Sequence, residues 1–126
     1  MSRELGKVLE LPSLRVSATA VRVPTFCSHG ASVNVELKRD FDSVDVVRGI
    51  LEAFPGLKVV DRPLQHIYPT NTEATGSNAT FVGRIRRDHS VKRGLNFWVI
   101  ADNLRKGSAL NALESLEMLY HYRRMV

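Results

Sequence analysis

At 126 residues the chain is long enough for one domain with a real core, and 44% apolar and 25% charged residues place it far from the composition that keeps chains disordered. Its single cysteine, Cys27, excludes an internal disulfide, and His29, His66, His89 and His121 are too scattered to complete a four-ligand zinc site, so no metal is implied. The formal net charge of +5 raises nucleic acid as a partner, but the densest basic run, Arg84 to Arg93, lacks interleaved aromatics that would stack on bases; a solvated face or a small-anion site explains it better.

In chain order, Leu5, Val8 and Leu9 recur at helical spacing ahead of Pro12, which reads as the end of a helix that a longer chain would complete. Charges at Arg3, Glu4, Lys7 and Glu10 exclude a secretory signal there. Leu14 to Val23 alternates and is rich in β-branched residues, predicting a strand with Val16, Ala18, Ala20 and Arg22 on one face. Pro24 ends it, and the residues up to Gly30 read as a connection. From Ala31 to Lys38, Val33, Val35 and Leu37 share a face opposite Ser32, Asn34, Glu36 and Lys38, the pattern of a half-buried strand.

Ser43 caps a helix expected to run through Phe54, with Val44, Val47, Ile50, Leu51 and Phe54 facing inward and Pro55-Gly56 stopping it. A short strand follows at Leu57 to Asp61, and Arg62 to Thr80 reads as a long surface loop. Its Asn78-Ala79-Thr80 fits a glycosylation acceptor only by chance in a chain read as cytosolic. Two strands come next, Phe81 to Asp88 and Leu95 to Asp102, the second apolar throughout and therefore central; its Phe97–Ala101 run falls far short of the roughly 20 residues of a membrane helix. Asp102 or Asn103 caps a final helix that turns Leu104, Leu110, Leu113, Leu116 and Tyr120 inward. The order αββαβββα predicts an α+β fold, a mixed and largely antiparallel sheet backed by helices, in a single unit spanning 1–126.

Two groups could carry chemistry. Cys27 and His29, two apart, would point the same way in extended backbone and could form a thiolate–imidazole pair, but a small buried thiol and a hydrogen-bonded loop histidine explain them equally well. Arg22, on an otherwise apolar strand face, needs an anionic partner, either a protein carboxylate or a ligand held by its planar fork. His29 lies a short loop away, where an imidazole could move a proton on an anion that Arg22 holds. Neither GxGxxG nor GxxxxGK[ST] is present, so the common phosphate-cradling loops are absent.

The segments SATAVRVPTFCSHGASVNVE, FVGRIRRD and ADNLRKGSALNA, in that order, resemble the carboxyl-terminal catalytic and dimerisation part of aspartate-semialdehyde dehydrogenases, a likeness running from about Glu4 to Leu119. The resemblance implies a domain like the carboxyl-terminal one of glyceraldehyde-3-phosphate dehydrogenase-type enzymes, a cytoplasmic setting, and the NADPH-dependent conversion of aspartyl phosphate to aspartate semialdehyde and phosphate on the way to lysine, threonine and methionine. Through the motif RVPxxxxH it puts substrate-carboxylate binding on Arg22 and acid/base work on His29. Through the shorter match ELGK it puts the substrate's amino group on Glu4 and the phosphate on Lys7, and through D-N-L-R-K-G it puts nicotinamide contact on Asn103. Ser108 stands where the family usually has alanine, and Gly30 where it has serine or threonine, which loosens the orientation of His29. The family's nucleophilic cysteine and dinucleotide-binding domain lie upstream of the matched region, and Cys27 aligns with a variable position. An amino-terminal NADP-binding half and a homodimer or homotetramer are therefore the implied partners, with neither nucleic acid nor membrane, and these 126 residues alone are expected to be inactive. A non-catalytic relative of the same fold and the related N-acetylglutamyl-phosphate reductases are the alternatives; RVPTF and D-N-L-R-K-G favour the aspartate enzyme.

Overall fold

A computed structural model describes residues 2–125. Helix α1 (Ser2–Val8) is followed by strand β1 (His29–Glu36), α2 (Val44–Glu52), β2 (Leu57–Val59), a 3-10 turn at Pro63–Gln65, α3 (Asn71–Ala74), β3 (Thr80–Asp88), β4 (Gly94–Ala101), a π turn at Arg105–Ala109 and α4 (Leu110–Met125). The strands form one mixed sheet in the order β1-β4-β3-β2. β4 runs antiparallel to both neighbours, from His29↔Ala101 to Glu36↔Gly94 on one side and from Phe81↔Ile100 to Asp88↔Gly94 on the other, while β2 pairs with β3 in parallel. The fold is α+β, as the sequence predicts.

The period of two along β4 divides the core. Leu95, Phe97 and Val99 face α2, whose Val44, Val47 and Leu51 close over Val82, Ile85 and Val35. On the other face Ile100 and Phe81 pack with Ala74 of α3, and Trp98 lies beside them. Ile100, Ile85, Val82, Phe81 and Leu95 are each 4% exposed or less, and burying such a side chain stabilises the fold by about 1.5–3 kcal/mol. β1 shows the expected alternation, with Val33 and Val35 half-buried between exposed Asn34 and Glu36.

A bulge breaks the β3–β4 register between Gly83 and Arg86 and carries Arg84 into left-handed backbone at φ 52°. Asp61 holds it. Its carboxylate, 1% exposed, accepts from the Arg84 and Ile85 amides at 2.7 and 3.3 Å and from Arg48 Nε at 2.7 Å. Nothing in the local pattern of LKVVD announces this role.

Four expectations are corrected. Leu14–Val23 forms no strand: it pairs with no sheet strand, and Val21 and Val23 are 76% and 57% exposed. Alternation reports a backbone preference only, and the small side chains of Ser17, Ala18, Thr19 and Ala20 bury too little surface to dock the segment on a sheet edge. The Arg62–Thr80 loop is more ordered than its composition suggests: Thr70 and Glu73 form a capping box that starts α3, and Pro69 and Ala74 are buried. α2 ends at Glu52, leaving Ile50 65% and Phe54 63% exposed. Finally, Leu104, ahead of the π turn, and Leu113, Leu116 and Tyr120 on α4 are 57–70% exposed rather than turned inward.

Candidate active site

The two chemistry-bearing motifs meet at one end of the sheet. His29 opens β1 opposite Ala101, the last residue of β4, and Asp102 and Asn103 continue from there. Antiparallel pairing of adjacent strands thus sets the RVPxxxxH histidine beside the D-N-L-R-K-G turn, although His29 and Asn103 are 74 positions apart in sequence.

The turn is built around Asp102, 5% exposed. Its Oδ1 accepts from the Leu104 and Arg105 amides at 2.9 and 3.3 Å, the expected cap, and its Oδ2 from the Gly76 amide at 2.8 Å. These bonds, the Gly76 amide foremost, hold the carboxyl below the ordinary carboxylate range. The capped turn enters a π turn before α4, a geometry that often accompanies functional sites. Arg105 Nε donates to Asn78 Oδ1 at 2.7 Å and Lys106 Nζ to Glu114 Oε1 at 2.7 Å, so the two cations of the motif are engaged internally. The Asn103 amide, half-buried, makes no hydrogen bond among the described residues. An amide with donor and acceptor both available matches the carboxamide of a nicotinamide, so this position fits that group.

The histidine is approached through Ser28, which is 3% exposed and left-handed at φ 70°. A left-handed residue breaks the extended alternation that would align Cys27 with His29, and no hydrogen bond joins the two side chains. The thiolate–imidazole pair does not form. His29 and Arg22 are both exposed, and neither is bonded to a described residue, so no carboxylate among the described residues holds the Arg22 guanidinium. Glu4 and Lys7 sit three apart on α1, on one helical face. No hydrogen bond or ion pair among the described residues ties Lys7 or Arg22 to His29 or Asn103; the sheet assembles only the last two.

Gly30 has a steric cause. A Cβ there would lie 2.6 Å from Cζ2 of Trp98, on the neighbouring strand. The basic run is likewise engaged. Arg87 lies 3.9 Å over the Phe41 ring and bonds Asp40 at 3.2 Å, Arg84 stacks on Tyr68, and Arg93 pairs with Glu36 at 3.8 Å. No described helix is long and apolar enough to cross a membrane, and no described His, Cys, Asp and Glu cluster could hold a metal.

Known proteins share this fold. The family model described as semialdehyde dehydrogenase, dimerisation domain, matches residues 1–106. Aspartate-semialdehyde dehydrogenase from Bacillus subtilis is 40% identical over 119 residues, covering 94% of this chain and 34% of that protein. The Legionella pneumophila enzyme is 44% identical over 117 residues, covering 92% of this chain and 33% of the relative. The crystal structure of aspartate semialdehyde dehydrogenase II from Vibrio cholerae complexed with ASA superposes with a TM-score of 0.89 at 38% identity, over 96% of this chain and 35% of that one. The chain thus spans about a third of the length of these relatives. With this sequence match over most of its length and this fold, the chain belongs to the semialdehyde dehydrogenase dimerisation-domain family.

Proposed function

We propose that the chain supplies the substrate-binding and proton-transfer part of an aspartate-semialdehyde dehydrogenase, which reductively dephosphorylates L-4-aspartyl phosphate to L-aspartate 4-semialdehyde with NADPH. The observation that carries this reading is the convergence of His29 and Asn103 at one sheet end, each on its own motif. In this reading the exposed imidazole of His29 takes a proton from the attacking nucleophile and returns one as the aldehyde forms. Arg22, with no protein partner among the described residues, grips the substrate's α-carboxylate by its two-point fork. Glu4 takes the substrate's amino group and Lys7 the phosphate. Asn103 faces the nicotinamide carboxamide, and the nicotinamide, when bound, supplies the hydride.

The nucleophilic thiolate and the grip on the dinucleotide phosphates come from outside these 126 residues, which act as a single unit within a cytoplasmic homodimer or homotetramer. The test is complementation. The 126-residue chain alone should show no phosphate-dependent reduction of NADP by aspartate semialdehyde. Co-expression with the amino-terminal two thirds of the Bacillus subtilis relative should produce it, His29→Ala should abolish it, and Cys27→Ala should not. Activity of the chain by itself, or full activity of His29→Ala in the complemented enzyme, would overturn the reading.

A further inference from the structure

His29 is the first residue of its strand, so the ladder fixes it from one side only and Ser28 decides how the chain enters. Ser28 sits at φ 70°, a conformation that is strained for any residue with a Cβ, and something must hold it there. The holder is α3. Nδ2 of Asn71 donates to the carbonyls of Cys27 and Ser28 at 3.4 and 3.3 Å, so its two N–H groups bracket the strained residue. In return Ser28 Oγ donates to the Asn71 carbonyl at 3.3 Å and lies 3.2 Å from Thr75 Oγ1, which donates to that same carbonyl at 2.8 Å. The next residue, Gly76, gives its amide to Asp102, immediately before Asn103. One short segment therefore touches the chain just before each of the two site residues. The capping box at Thr70 and the buried Pro69 and Ala74 anchor that segment to the core.

We propose that Asn71 is a positioning residue for His29: its side-chain amide, bonded to the Cys27 and Ser28 carbonyls, keeps Ser28 left-handed and so aims the imidazole at the shared end of β1 and β4. The exposed imidazole has no bond of its own to a described residue, so its direction is inherited from the backbone that Asn71 fixes. The catalytic consequence rests on the acid/base role proposed for His29, whereas the anchoring can be read without any activity.

Two measurements separate these. In the full chain, amide hydrogen exchange at His29, which lies in the β1–β4 ladder, should quicken by about tenfold or more in Asn71→Ala, with central β3 and β4 unchanged. Asn71→Asp, which keeps the shape of α3 but sets a carboxylate oxygen against two carbonyls, should quicken it further. Ser28→Gly placed in the Asn71→Ala background should slow exchange again, because glycine adopts a positive φ without strain. Thr72→Ala, on the same helix, is the control and should change nothing. In the complemented enzyme, Asn71→Ala should lower kcat by about tenfold with KM within about threefold, and Ser28→Gly in that background should recover most of the loss. Unchanged exchange at His29 in both Asn71 variants would overturn the proposal. Quickened exchange with unchanged kcat would retain the anchor and overturn its catalytic role. A complemented enzyme with no activity even before substitution would count against the functional reading alone, and exchange would still decide the anchoring.

Discussion

At the scale of single residues, a few positions are fixed by what lies against them. Gly83 is the tightest: a Cβ there would fall 2.3 Å from the Val60 carbonyl oxygen and 2.4 Å from Cδ of the buried Pro69. Neither backbone nor a locked ring can yield, so Gly83→Ala should destabilise by about 3 kcal/mol in a denaturant titration. Gly30 meets only the rim of the half-buried Trp98 ring, which can swing, and Gly30→Ser should cost about 1 kcal/mol and be offset by Trp98→Leu. Asp102 gives a pH signature. Its amide donors depress its folded value below the unfolded one, so its stabilisation is present above the ordinary carboxylate value of about 4 and lost as pH falls through the depressed folded value. Asp102→Asn should therefore be less stable at neutral pH and lose less on acidification, read as melting temperature against pH. Asp40 and Asp88, whose carboxyls are lowered too, by the Phe41 amide and by Ser90 respectively, contribute to the acid slope that remains.

At the scale of elements, the sequence read best where one element satisfies itself. The cap of α2 is local: Ser43 accepts from the Val46 amide, and Ser43→Ala should cost about 1 kcal/mol. β1 is legible because a period of two with apolar residues on one side marks a half-covered strand. Leu14–Val23 shows the same period and forms no strand, since hydrogen-bond pairing belongs to two segments and alternation to one. The bulge in β3 lies beyond local reading for the same reason. Its support is Asp61, reaching in from the end of β2, and Asp61→Ala should cost about 3 kcal/mol because Arg48 and two amides lose their acceptor at a buried site. Differential scanning calorimetry of the variant checks it.

At the scale of the whole molecule, apolar surface is unevenly covered. The sheet is packed on both faces, yet α4 presents Leu113, Leu116, Leu119, Tyr122 and Met125 to solvent at 57–79% exposure. Leu113→Lys with Leu116→Lys should therefore leave thermal stability within about 0.5 kcal/mol, since exposed positions without core contacts contribute little. The same two substitutions inside a packed helix would unfold it, so circular dichroism against temperature distinguishes the cases.

Local and periodic signals along the chain specify the capped α2, the alternating β1, the apolar central β4, and the Asp102 cap leading to the last helix. The motifs of the sequence also pointed to His29, Arg22 and Asn103 as the residues to watch. That His29 and Asn103 share one end of the sheet follows from the folded chain alone, because strand pairing joins residues that no local pattern links. The tertiary structure likewise decided that Leu14–Val23 stays outside the sheet and that the stretch after Arg62, rich in proline and asparagine, folds back as α3 onto Ser28 and Asp102. The physical reason is common to all three. A backbone preference is a property of neighbours along the chain, whereas a hydrogen bond from Asn71 to Ser28, 43 positions away, exists only once the core has brought the two segments together.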